Sequence, residues 1–234
     1  MTLAIMQPYL FPYLGYFQLM HAADRFVVYD DVNYIKQGWV NRNRILVNGA
    51  PLMFTLPLAE ASPFATIDQI SVHGKVYAHW RGKFLSTLRQ SYSRAPFQEP
   101  VLALVERVLL PGSPMLREVL LAGLQEIHRY IGATAALVPT SRAYANGHLA
   151  ASARILDICR QEGATAYVNA IGGKYLYNKE EFSEAGINLH FLRSRLPEYK
   201  QAKGPFIPGL SILDVMMWNP PEQITEWLAE YDLE

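Results

Sequence analysis

Asp30 and Asp31 close the apolar run Phe26-Val-Val-Tyr29, with Asn33, Tyr34 and Lys36 just beyond. Paired carboxylates at a strand end can hold Mg²⁺, or take the proton an amine must lose before it attacks. Their structural alternative is a capped turn and an ion pair with Lys36 or Arg42. Asn41-Arg42-Asn43-Arg44 follows, where guanidinium forks suit carboxylate or phosphate and carboxamides suit sugar or amide groups. A third polar group is Asn169-Ala-Ile-Gly172-Gly173-Lys174-Tyr175-Leu-Tyr177. Successive glycines let backbone N–H groups converge on an anion, and Lys174 adds charge. The spacing fits neither a P-loop nor a dinucleotide fingerprint. Arg193, Arg195, Tyr199, Lys200 and Gln201 form a mildly basic segment that reads as the rim of a site.

The remaining candidates narrow the chemistry. The six histidines (21, 73, 79, 128, 148 and 190) show no pair at ligand spacing, so no zinc site is expected. His21 and His128 lie beside apolar faces and read as structural. The one cysteine, Cys159, sits in a helical pattern and reads as a small buried hydrophobe. No G-x-S-x-G elbow or triad pattern occurs. Lys+Arg and Asp+Glu each number 21, so no global field attracts nucleic acid or an anionic membrane. Half of the 234 residues are hydrophobic and 12% are aromatic, enough for a full core. A single cysteine, no signal-like start and no long apolar run lead to the expectation of a cytoplasmic protein without membrane insertion.

These residues need elements to position them. Leu3 to Met6 and Phe26 to Tyr29 read as buried parallel strands, with Leu14, Phe17, Met20 and His21 at helical spacing between them. Asn48-Gly49 between apolar segments predicts a hairpin. Ile67 to Val72 reads as a strand. Helices are expected over Tyr77 to Tyr92, Val101 to Leu110 and, opened by Pro114 after the break at Pro111-Gly112, through Ile131. Then come strand 135–138, helix 149–160, strand 165–168, a helix near 179–185, strand 187–192 and a helical tail over 210–218 and 221–231. The expectation is one α/β domain, a three-layer Rossmann-like parallel sheet with a hairpin and a helical insertion at about 76–132. Its site lies where the strands finish.

Within the first turn, Tyr13-Leu14-Gly15-Tyr16 resembles the H-x-G-H signature of HUP-superfamily nucleotidylyltransferases, and Ala23 falls seven residues beyond Tyr16. Tyrosines replace both histidines, and the proline register is one residue off. The overlay implies a nucleotide-binding scaffold whose charge-stabilising cations are missing.

Several segments together resemble the WbqC-like protein family, whose members occur in bacterial O-antigen and other polysaccharide gene clusters. They are Ile5-Met-Gln7-Pro through Phe17, Ala23 through Val32, Asn41-Arg42-Asn43, Tyr167 through Tyr177, Phe182, Gly186-Ile187, Tyr199-Lys-Gln201 and Leu210 through Asp214. The resemblance implies glycine or aminoacyl transfer onto a sugar. In a transferase of this kind, a nucleotide-linked sugar, an acyl-adenylate or an aminoacyl-tRNA would supply one partner.

On this reading Asp30, Asp31 and Lys174 carry the catalysis. Gln7, Tyr13, Tyr16, Tyr34, Lys36, Asn41, Arg42, Asn43, Asn169, Gly172, Gly173, Tyr177, Tyr199 and Gln201 bind substrate. The expected partner is an amino sugar, nucleotide sugar or amino acid, with a nucleotide and Mg²⁺ as the cofactor to look for. HUP-type nucleotidyl transfer and a non-catalytic nucleotide-sugar binding module are the alternatives.

Overall fold

In the computed structural model, which describes residues 1–109, 115–202 and 204–234, a mostly parallel sheet runs through the molecule. Its parallel strands are β1 (Thr2–Met6), β2 (Arg25–Val28), β7 (Ala136–Val138), β8 (Ala166–Ala170) and β9 (Asn188–Ser194). The antiparallel β10 (Tyr231–Leu233) closes one edge, giving the order β10-β9-β8-β1-β2-β7. β1 pairs with β2 from Leu3↔Arg25 to Met6↔Val28, and with β8 from Thr2↔Ala166 to Ala4↔Val168. The order therefore turns around at β1 and β8, which makes a crevice at their carboxyl ends.

Strand alternation splits the core into two layers. Ala4, Phe26, Val28, Val168 and Leu192 face one way, towards α1 (Leu14–His21) and its neighbouring helices. Leu3, Ile5, Val27, Tyr167, Leu189 and Phe191 face the other, towards α5 (Ala151–Gln161) and α6 (Lys179–Glu184). Helix–sheet–helix is the expected three-layer α/β architecture. Cys159 is fully buried in the second layer, where burial pushes its thiol up to about 12.

The connection from β2 to β7 carries the additions. The hairpin β3 (Arg42–Val47) and β4 (Ala50–Thr55) turns at Asn48 and Gly49, both at positive φ (52° and 80°), the pair a type I′ turn requires. β5 (Leu58–Ala59) and β6 (Ser71–Val72) form a short ribbon. Helices α2 (Gly74–Ser91), α3 (Gln98–Val108) and α4 (Leu116–Tyr130) follow. After β9 come α7 (Ile212–Trp218) and α8 (Pro221–Trp227).

Two expectations are corrected. Ile67 to Val72 is a 3₁₀ turn over Ile67–Gln69, entered through a Thr66/Gln69 capping box, and only Ser71–Val72 is strand. The tail does not stay helical to Tyr231: Tyr231–Leu233 pairs with β9, fastened by Arg195–Asp232 and Arg193–Glu234 ion pairs. The expected breaks at Pro111-Gly112 and Pro114, and the helix end at Leu110, lie outside the described residues.

Candidate functional site

Two kinds of polar group gather at the carboxyl ends of the strands. At the end of β2, Asp30 is fully buried and saturated. Its Oδ1 accepts from the Thr140 hydroxyl (2.8 Å) and the Ser141 N–H (3.1 Å), and its Oδ2 from Arg117 Nε (3.1 Å). Both oxygens of Asp31 accept from Arg154 Nη2 (2.7 and 2.6 Å), and Oδ1 also accepts from the Ser141 hydroxyl. Arg154 is itself buried, stacks 4.9 Å from the Tyr29 ring centroid and donates through Nε to Asn146. Asp68, whose N–H donates to the Asp30 carbonyl, pairs with Arg142. Burial alone would raise its carboxyl. The bonds from Arg142 and Thr66, with Arg117 nearby, bring it below the ordinary range.

These carboxylates do not present an open face. Both oxygens of each are engaged, so the pair does not fit as a ready Mg²⁺ site or a free proton acceptor. Among the described residues no cluster of three or more His, Cys, Asp or Glu is arranged to hold a metal ion.

The second gathering lies over β1 and β8 and is neutral. The Gln7 side chain makes no hydrogen bond to another described residue. Asn169 accepts from the Ala170 N–H through Oδ1 (2.8 Å), while its Nδ2 has no protein partner among the described residues. Gly173 packs onto that amide: a Cβ there would sit 2.5 Å from Nδ2. The turn between β1 and α1 crosses the crevice in a strained shape, with Phe11 at φ 45°. It is held from several sides. Asn43 Nδ2 donates to the Leu10 and Phe11 carbonyls (3.3 and 2.8 Å), Ser211 Oγ to the Phe11 carbonyl (2.7 Å), and the Ile212 N–H to the Pro12 carbonyl (2.8 Å). Gly15 admits the Tyr13 ring and Ser194, since a Cβ there would lie 2.4 Å and 2.3 Å from them. Beside the turn opens a cleft of about 310 Å³ lined by Tyr9, Pro12, Tyr13, Trp39, Asn43 and Gly209.

The structure thus places Gln7, Tyr13, Asn43, Asn169, Gly172 and Gly173 at the crevice or its cleft, and puts the other expected residues to work elsewhere. Tyr16 is buried in the core and donates to the Gln7 carbonyl (3.0 Å); burial, with Tyr9 adding, drives its hydroxyl well above the phenol range. Tyr34 donates to Asn41, which donates to the Leu56 carbonyl (both 2.8 Å). Arg42 folds back onto the Gln37 and Gly38 carbonyls. Lys36 is exposed. Lys174 reaches Glu234 (2.7 Å) beside β9, while Asp31 is held by Arg154 at the end of β2. Tyr177 packs edge-on against Tyr167 and Phe182.

Tyr199 and Gln201 converge with Tyr92 on Asp214, a fully buried carboxylate receiving both hydroxyls at 2.6 Å and the carboxamide at 3.2 Å. Burial raises this carboxyl despite those bonds. The joint fixes the segment that supplies Gly209 and Ser211 to the turn.

Sequence reasoning passed over Arg154, Trp39 and Tyr9. A signal for Arg154 existed: it stands four residues before buried Ile158, so it lies on the apolar stripe of α5, where a cation needs a partner. Nothing local marks Trp39, whose neighbours Arg44 and Gly209 come from other segments.

The family model of the WbqC-like protein family matches residues 7–226. An uncharacterized protein of Mycobacterium tuberculosis is 29% identical over 219 residues, which cover 91% of each chain. No solved structure gives a significant match. Among the described residues, no helix is long and apolar enough to cross a membrane.

Proposed function

The chain belongs to the WbqC-like protein family, and from that premise we propose that it is a transferase joining a small aminoacyl or other acyl group to an acceptor such as an amino sugar, as an amide at its amine or an ester at a hydroxyl. One partner arrives activated, as an acyl-adenylate, a nucleotide-linked donor or an aminoacyl-tRNA. It lies across the crevice between β1 and β8.

The observation that carries the site is the unpartnered Gln7 amide and Asn169 Nδ2 flanking the strand-order reversal, with the chain leaving β1 through a turn whose strain at Phe11 is held by Asn43 and Ser211. Neutral amides and phenols bind and orient, and their contribution to rate is positioning: they hold amine and activated carbonyl in contact. The amine attacks the carbonyl carbon, the leaving group departs with the electron pair, and the amine's proton passes to solvent or the leaving group. Asp30 and Asp31 act here by shaping the floor through Arg117, Thr140, Ser141 and Arg154, instead of taking that proton. Tyr13 and Tyr16 at the positions of the resembled histidines supply no cation, which favours acyl over nucleotidyl transfer.

The test is mass-spectrometric detection of an amide or ester product when purified protein is given amino-sugar nucleotides with glycyl-adenylate or glycyl-tRNA. Gln7→Ala is expected to lose the product while keeping the wild-type melting temperature; Asn169→Ala is expected to lose it too, with a lower melting temperature because the Ala170 N–H loses its acceptor. Nucleotide–pyrophosphate exchange without acyl transfer would replace this reading with the nucleotidyl one.

A further inference from the structure

We propose that the aromatic cleft beside the β1–α1 turn is a nucleobase-binding site, which takes the planar end of the ligand whose reacting part lies over β1 and β8. The proposal rests on the crevice reading above and adds the substrate class. At about 310 Å³ the cleft has the size of a small-molecule pocket. Its walls are three aromatic rings and a proline: Tyr9, Tyr13, Trp39 and Pro12. Asn43, the polar side chain among them, is already committed to the Leu10 and Phe11 carbonyls and the Arg44 N–H. What remains to meet a ligand is the hydroxyls of Tyr9 and Tyr13 and the Trp39 indole N–H, none of them hydrogen-bonded to a described residue. Burial, with Tyr13 close by, pushes the Tyr9 hydroxyl above the ordinary phenol range, so it stays a donor at neutral pH.

That inventory selects among ligands. A pyranose enclosed here would leave most of its hydroxyls unpaired, which costs affinity for each one. A heteroaromatic base offers two faces to stack and one or two carbonyl or ring-nitrogen acceptors, which matches the rings and these donors. Trp39 is 42% exposed and its indole is braced from behind. The Arg44 guanidinium lies 5.7 Å from the ring centroid, and its Nη2 donates to the carbonyl of Gly209 (3.3 Å), which also lines the cleft. The platform is therefore set before a ligand arrives.

The experiment is calorimetric titration of the full chain with the four ribonucleoside 5′-monophosphates and, in parallel, with ribose 5-phosphate, which carries the same phosphate without a base. At least one nucleotide should bind tenfold or more tightly than ribose 5-phosphate. Trp39→Ala should lower that nucleotide's affinity by about 5- to 150-fold, the range expected when one stacked base loses its ring, with an unchanged melting temperature. Tyr13→Phe should give a smaller loss. Equal binding of ribose 5-phosphate, no nucleotide binding up to millimolar concentration, or unchanged binding by Trp39→Ala would each overturn the proposal. Acyl transfer between a donor and an acceptor that both lack a base would remove this inference and leave the transferase reading standing. Base-dependent binding without transfer would do the reverse.

Discussion

The carboxyl ends of β2 and β7 and those of β1 and β8 lie at the same end of one sheet, yet they use their polar groups in opposite ways. After β2 and β7, three aspartates and three arginines interlock with Thr140 and Ser141. Over β1 and β8 the groups are neutral and partly unspent: the Gln7 amide, Asn169 Nδ2 and the hydroxyls of Tyr9 and Tyr13. Charge at a strand end draws attention as chemistry, but buried charge that finds its counter-charge becomes architecture. The groups left over to meet a ligand are the uncharged ones.

Breaking the charged side should cost most. Arg154→Ala leaves Asp31 buried without its counter-charge and Tyr29 without its cation, so we expect a loss of roughly 3–5 kcal/mol in urea unfolding. A loss under about 1 kcal/mol would mean that the pair behaves as an exposed one. Gly15→Ala attacks the neutral side through its geometry. The new Cβ drives into the Tyr13 ring and Ser194, at a cost of about 1–3 kcal/mol, and the displaced Tyr13 should weaken any ligand of the cleft further.

Arg142→Ala tests the rim of the charged side. Its side chain is half exposed, so the stability loss should stay below about 1 kcal/mol. Asp68 is held below its ordinary range, so the pair's contribution is present above the normal carboxylate pKa and fades as pH falls through the depressed one. The wild-type and Arg142→Ala melting curves should therefore converge in acid. Convergence at alkaline pH instead would reverse the assignment. Gln7→Ala should be the quietest of all in stability, within about 0.5 kcal/mol, because no described residue bonds that amide. Its effect should appear only in ligand binding or turnover.

Much of this plan could be read in advance because it is local. Short apolar runs such as Leu3–Met6 and Phe26–Val28 announce strands, Asn48-Gly49 announces its own turn, and Gly172-Gly173 sits after a strand as expected. What stayed hidden is pairing across distance. Asp31 meets Arg154 from 123 positions away, and Asp214 gathers Tyr92 from 122 away. No periodicity records such partners, so the carboxylates looked free when they were spoken for. β10 escaped for a different reason: three residues carry too little pattern, and their strand character comes from β9 beside them.

The central place of β1 has a consequence for biosynthesis. This strand is made before either of its partners: β2 follows within some twenty residues, but the other begins at Ala166. Gln18 likewise ends by donating to the carbonyls of Arg195, Trp227 and Glu230. At ribosomal speeds of about 5–20 residues per second, roughly 8–30 s pass before β1 can be enclosed. Through that interval the nascent chain carries an apolar strand with one edge open. Any factor that shields new chains would meet β1 before the crevice beside it exists.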